Sequence, residues 1–176
     1  MSEFSESYHL RTNNKDEGKA LIKHLGVRGI VFEETNGWVT VLPEGELASH
    51  IKNVASNFNG MVLHYTYAAD HLWTANLFSN GTSISSFVCA WDPELYIESE
   101  ALDIEAFSKL LLRPEDKEKL VKLFSLTDLD EIFETKPAYT FAELLGIEHY
   151  QWLAGQDIAN HCDEILEEIP GSELVE

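Results

Sequence analysis

Positive charge is in short supply in this chain: 12 Lys and Arg stand against 31 Asp and Glu, a formal net charge of −19. A surface so short of cations repels phosphate backbones, which sets nucleic acid aside as a direct partner. Cysteine is scarcer still, with Cys89 in an apolar run and Cys162 in a helical one, too few for a disulfide scaffold. No apolar run approaches the roughly 20 residues of a membrane helix, and the opening MSEFSESYHL has neither a basic nor an apolar export segment. The expectation is a soluble, cytoplasmic protein that meets no membrane. Chemical motifs are missing too. There is no H-E-x-x-H, G-x-S-x-G or C-x-x-C, and Gly26-x-x-Gly29 follows a helix and enters a strand, the reverse of a phosphate-cradling loop. Familiar hydrolases, kinases and redox enzymes are thereby set aside, and no cofactor is called for.

What remains is distributed unevenly. Residues 1–60 hold 8 acids and 6 bases, residues 61–91 hold 1 and none, and residues 92–176 hold 22 and 6. The negative field therefore belongs to the C-terminal half, and such a field attracts a basic protein. A hydrophobic fraction of 44% with 4 Trp, 6 Tyr and 9 Phe is that of a chain that folds around a core.

The nearly uncharged stretch Met61–Trp91 reads as a meander of three strands, Met61–Ala68, Leu72–Phe78 and Thr82–Ala90, separated by Ala69-Asp70-His71 and Ser79-Asn80-Gly81. Ahead of it, Ser7–Thr12 alternates like a half-buried strand, and Asn13-Asn14 can cap a helix over Lys15–Leu25 that stops at Gly26. Gly29–Glu34 and Trp38–Leu42 flank Asn36-Gly37, a hairpin signal. Pro43 then opens an expected helix from Glu44 to about Phe58, with Leu47, Ile51, Val54, Ala55 and Phe58 on one stripe.

Strand, helix, strand, strand, helix, strand is the βαββαβ order of ferredoxin-like folds. The expected fold class is α+β: a ferredoxin-like antiparallel sheet extended by a β-hairpin to five or six strands, followed by a cluster of short helices. Composition breaks near residues 92–101, dividing the chain into a sheet part, 1–91, and an acidic helical part, 92–176, packed as one globular unit. The expected helices are Asp103–Leu112, Pro114–Phe124, Thr127–Glu134, one opened by the Thr140–Glu143 capping box, and Glu148–Glu168, with Ser172–Glu176 frayed.

Constellations with chemical possibilities have blander uses here. His64, Asp70 and His71 match no metal spacing, so no metal site is assigned. Cys89 with His64 lacks the cationic surroundings that activate a thiol. Carboxylate pairs are too common to signal a glycosidase-type dyad. Phe141–Ile158 has the rhythm of a helix-turn-helix, yet no Lys or Arg, which suits an antiparallel helix pair better than a DNA reader.

The segments Gly37–Glu44 and Leu72–Phe87 resemble a loosely defined set of uncharacterised small bacterial proteins with a strand, helix, hairpin, helix and meander layout. The resemblance implies that layout and a bacterial origin, and carries no activity. The favoured reading is a binding protein, of the immunity or anti-effector type, that engages a basic protein through Asp128, Asp130, Glu131, Glu134, Tyr150 and Trp152, since acidic rims around aromatic anchors suit such contacts. One rival is a small-molecule sensor or motif-less enzyme with a cleft lined by Trp38, His64, Tyr65, Tyr67 and Trp73. The other is an acidic DNA mimic.

Overall fold

The computed structural model describes residues Met1–Glu176. Eight strands form one antiparallel sheet: β1 (Phe4–Arg11), β2 (Gly29–Val31), β3 (Trp38–Pro43), β4 (Met61–Ala68), β5 (Leu72–Ser79), β6 (Thr82–Ala90), β7 (Tyr96–Glu98) and β8 (Glu173–Val175). Their order is β7-β6-β5-β4-β1-β3-β2-β8. Seven helices accompany them: α1 (Lys15–Leu25), α2 (Ile51–Asn57), α3 (Ile104–Ser108), α4 (Lys117–Phe124), α5 (Leu129–Thr135), α6 (Pro137–Leu145) and α7 (Ile158–Glu168).

Local chemistry accounts for the best-marked joints. Asn36 and Gly37 both hold positive φ, as do Asn80 and Gly81, which gives the backbone hand that two-residue hairpin turns require. Asn14 caps α1 by accepting from the Asp16 amide, and left-handed Gly26 closes it. The expected five or six strands become eight because β7 and β8 are three residues long, too short to show a period. Ser172–Glu176 is largely strand rather than frayed: it turns at Gly171 and pairs β8 with the free edge of β2.

Three helical expectations are corrected. Glu44–His50 is a loop, with Leu47 exposed and Ala48 left-handed, because the Ala48 amide donates to the buried Glu6 carboxylate instead of a helix carbonyl. Thr140 lies inside α6, which already starts at Pro137, the preferred first helical residue. Glu148–Ala154 is irregular, and helix resumes only near Gly155.

Alternation splits the sheet into two faces. On one, Tyr8, Leu10, Val39, Val41 and Val62 pack with Leu21 and Ile22 of α1 and Val54 of α2. On the other, Trp38, Leu63, Tyr65, Trp73, Leu77 and Phe87 pack against the C-terminal helices. Trp73, Phe87, Phe107, Phe124 and Phe141 form the centre of that second layer, with ring centroids 4.9–6.1 Å apart between neighbours. Each such ring stabilises the fold by about 1.5–3 kcal/mol through burial alone. The helical half is thus a lid on the sheet, and its loops meet the start of β1.

Candidate partner-binding groove

A strand buried on both faces ordinarily carries apolar residues, yet β1 and its approach place Glu3, Ser5, Ser7 and His9 under the helical lid, all buried. Each polar atom is matched. Ser7 Oγ lies 2.8 Å from His9 Nε2, and His9 Nδ1 lies 2.8 Å from Thr40 Oγ1. Burial, with smaller contributions from His149 and His64, pushes the His9 imidazole down to about 3, so the ring is neutral. The Ser-His-Thr row has the order of a nucleophilic relay, but all three are sealed from solvent and no reactant reaches them.

Glu3 is the hub of the row. Its carboxylate accepts from Ser5 Oγ at 3.0 Å, from the Tyr139 hydroxyl, and from the Trp152 backbone N–H at 3.2 Å. The same N–H lies 2.9 Å from Ser5 Oγ, and the Glu6 amide donates to the Leu153 carbonyl at 2.9 Å. The chain at Trp152–Ala154 therefore runs alongside β1 where β3 has ended. At Gly155 it passes so close to Pro43 that an added Cβ would stand 2.1 Å from the Pro43 carbonyl oxygen. This clamp holds Trp152 at φ +57 with the residue 53% exposed. A bulky residue in left-handed backbone is strained, and strain that neighbouring structure maintains gathers at functional positions.

Beside Trp152 lies a groove of about 480 Å³ between the start of β1 and α7. Phe4 and Ile165 contribute apolar walls, and Asp157, Glu164 and Glu168 supply carboxylates. Burial raises the Asp157 carboxyl above its ordinary value. His161, at a break in the helical geometry of α7, lies 3.3 Å from Glu164. No Lys or Arg lines the groove, and none follows Lys136 in the chain. The rim carries three carboxylates and no Lys or Arg, with Met1 and His161 also lining it.

The residues expected from sequence are dispersed. Tyr150 is buried against Tyr65 and Tyr139 and offers no surface. Asp128 caps α5, accepting from the Asp130 and Glu131 amides. Asp130, Glu131 and Glu134 are exposed on α5 with Leu129 and Phe133, forming a ridge separate from the Trp152 groove. The expected cleft also divides. Trp38 is buried, donating from Nε1 to the Leu145 carbonyl at 2.9 Å, and Tyr65 is buried with its hydroxyl lacking a partner. His64 belongs to the opposite face, 2.8 Å from Glu6. Only Tyr67 and Trp73 meet, in a pocket of about 40 Å³ with Trp91, Phe133 and Tyr139, a volume on the scale of one water.

Sequence reasoning found Trp152 and missed Glu3, Phe4, Asp157, Glu164 and Glu168. An absence of Lys and Arg after residue 136 was the available signal for the last three. No group of three or more His, Cys, Asp or Glu side chains is arranged to hold a metal ion, and no helix is long and apolar enough to cross a membrane. No protein-family model, curated protein or solved structure matches this chain.

Proposed function

We propose that the chain is a binding protein for a basic protein partner, which lays a Lys- or Arg-bearing segment across Trp152 and the groove beside α7. The observation that carries this is the exposed, left-handed Trp152, clamped by Glu3 and Ser5 at the edge of a groove with three carboxylates and no Lys or Arg. An indole face takes a guanidinium or ammonium group, and carboxylates around it add attraction and faster encounter. Masking the active surface of a basic effector is the role such a binder suits. The scaffold reading that accompanies it is a ferredoxin-like core, supported by the β4-β1-β3-β2 order with α1 and α2 as connections.

The test is titration of the full chain with an oligo-arginine peptide, followed by Trp emission and calorimetry, with an oligo-glutamate peptide as control. The expected result is one-site binding that weakens steeply with salt and falls at least tenfold in Trp152→Ala, the scale of an aromatic hot spot. Trp152→Gly should also lose binding while keeping stability within about 1 kcal/mol of the parent, since glycine relieves the left-handed strain. Absence of binding at low ionic strength, or binding by both variants as tight as the parent's, overturns the reading.

A further inference from the structure

Helix α5 carries an apolar pair that the core leaves uncovered. Leu129 and Phe133 stand one turn apart, 37% and 49% exposed, while Ile132 is the residue of this helix that enters the core. Phe133 meets Trp91 edge-on at 5.7 Å, and these two rings with Tyr67, Tyr139 and Lys136 frame the small pocket that has Trp73 in its wall. Trp73 keeps its Nε1–H buried without an acceptor. A buried donor left unmatched is uncommon, and a chain arriving from outside can bring the oxygen it lacks. Around the pair, Asp130, Glu131 and Glu134 are exposed and take part in no ion pair.

The sheet sets how far this pair stands from Trp152. Pairing places Ala90, Leu72, Ala68 and Phe4 in one row across the end of the sheet, and Trp91 follows Ala90 directly. The Glu6 amide, bound to the Leu153 carbonyl, makes Trp152–Ala154 the next neighbour in that row. Steps of about 4.8 Å from strand to strand put Trp91 and Trp152 roughly 20 Å apart. Tyr139 bridges the interval. Its ring meets Tyr67 at 5.2 Å, and its hydroxyl donates to Glu3, whose carboxylate accepts from the Trp152 amide. The α5 pair and the Trp152 groove thus share one end of the molecule.

We infer that the basic segment crossing Trp152 continues over this end of the sheet and sets a bulky aliphatic side chain on Leu129, Phe133 and Trp91, about six residues from its first arginine. The inference rests on the Trp152 reading and adds the sequence pattern of the partner. Six residues follow from roughly 20 Å at about 3.3 Å per extended residue. Charge selects the occupant. Asp130, Glu131 and Glu134, on the pair's own helix, attract a segment rich in Lys and Arg and repel an acidic chain, a nucleic acid or an anionic membrane.

Lys136 decides where the uncharged residue goes. It lines the pocket from the joint of α5 and α6, in left-handed backbone where glycine is the usual residue, and its ammonium keeps a second cation away. The segment therefore places an uncharged side chain there and basic residues to either side. Leu129 and Phe133 are the apolar members of the exposed face of α5, so an aliphatic chain is the group that covers them. The pocket itself, about 40 Å³, is on the scale of one water, so that chain lies across the two side chains rather than inside.

Calorimetric titration of the full chain with three matched peptides, each ending in an oligo-arginine run after a Gly-Ser spacer, tests this. One carries leucine six residues before the first arginine, one has glycine there, and one has leucine two residues before it. The expected result is that the first binds at least fivefold tighter than the other two, because a tethered second contact raises affinity when the spacer matches the span. Phe133→Ala and, separately, Leu129→Ala should each remove most of that gain while binding the glycine peptide as the parent does; if one variant misfolds, the other decides. Equal affinity for the leucine and glycine peptides, or a gain indifferent to spacing, overturns the inference and leaves the Trp152 reading standing. So does a gain that neither substitution reduces, which would place the anchor elsewhere. Failure of every peptide to bind at low ionic strength overturns both.

Discussion

His9 shows what a single buried residue imposes. Its imidazole is neutral in the fold, held down to about 3 by burial, whereas in the unfolded chain it titrates near its ordinary 6.5. The unfolded state therefore takes up the proton first. His9's contribution is complete above about pH 6.5 and declines as pH falls toward about 3, at about 1.4 kcal/mol per pH unit. Urea unfolding of the parent and of His9→Gln checks this. The parent should lose about 2 kcal/mol between about pH 6.5 and 5 that the variant does not lose, and parallel pH profiles would refute it. Comparing the two cancels the opposite contribution of carboxylates as acid relieves their repulsion. Little of this was legible beforehand. The alternation of Tyr8 and Leu10 with His9 and Arg11 reads as one wet face and one dry face; Arg11 does stay exposed, and His9 is dry because Trp38, Tyr65 and, from far along the chain, His149 lie beside it. Glu3 escaped notice for the same reason: a carboxylate near a polar terminus becomes a buried hub only through partners 136 and 149 residues away.

Elements were legible where a local device sets them and obscure where a distant contact does. The Asn36-Gly37 and Asn80-Gly81 turns, the capped α1 and the β4–β6 meander all follow from neighbouring residues. The loop at Glu44–His50 does not, because its helical stripe is overruled by the Ala48 amide reaching Glu6, 42 residues earlier. Trp152–Gly155 is the functional case. Periodicity from Glu148 onward favours continuous helix, but Glu3 and Ser5 take the Trp152 amide, the Glu6 amide takes the Leu153 carbonyl, and Pro43 lies tight against Gly155, so the chain passes flat against β1. Gly155→Ala probes that passage, since the Pro43 oxygen 2.1 Å from the new Cβ is fixed in the β2–β3 ladder and cannot give way. The substitution should cost about 2 kcal/mol, in the range of overpacked sites, and should lower oligo-arginine binding although residue 155 lies outside the groove lining. Unchanged stability in thermal unfolding would show that the loop is not clamped as described.

For the whole molecule, charge sets the response to salt, and two contributions oppose each other. Lys15 and Lys19 reach Glu173, Arg28 reaches Glu44, and Arg113 and Lys119 reach Asp116, all ion pairs that salt weakens. Asp116 and Lys15 are largely covered in these pairs, and their partners and the Arg28–Glu44 pair face solvent, where screening keeps each contribution small. Against them stands a field of −19 concentrated after residue 91, including the α7 carboxylates Asp163, Glu167 and Glu168, which have no ion-pair partner among the chain's salt bridges. Unfolding lets these acids separate, so repulsion favours the unfolded chain and screening it favours the fold. Because the acids outnumber the bases by more than two to one, the second contribution wins. Raising sodium chloride from about 20 mM to about 500 mM, where the Debye length falls from about 20 Å to about 4 Å, should raise the melting temperature while weakening oligo-arginine binding. Glu167→Lys, which removes two units of negative charge from the unpaired face of α7, should reproduce part of that stabilisation at low salt and show a smaller further rise. A melting temperature that falls as salt is added would mean that the folded chain's own ion pairs already offset its acids, and no excess field would remain to attract a basic partner.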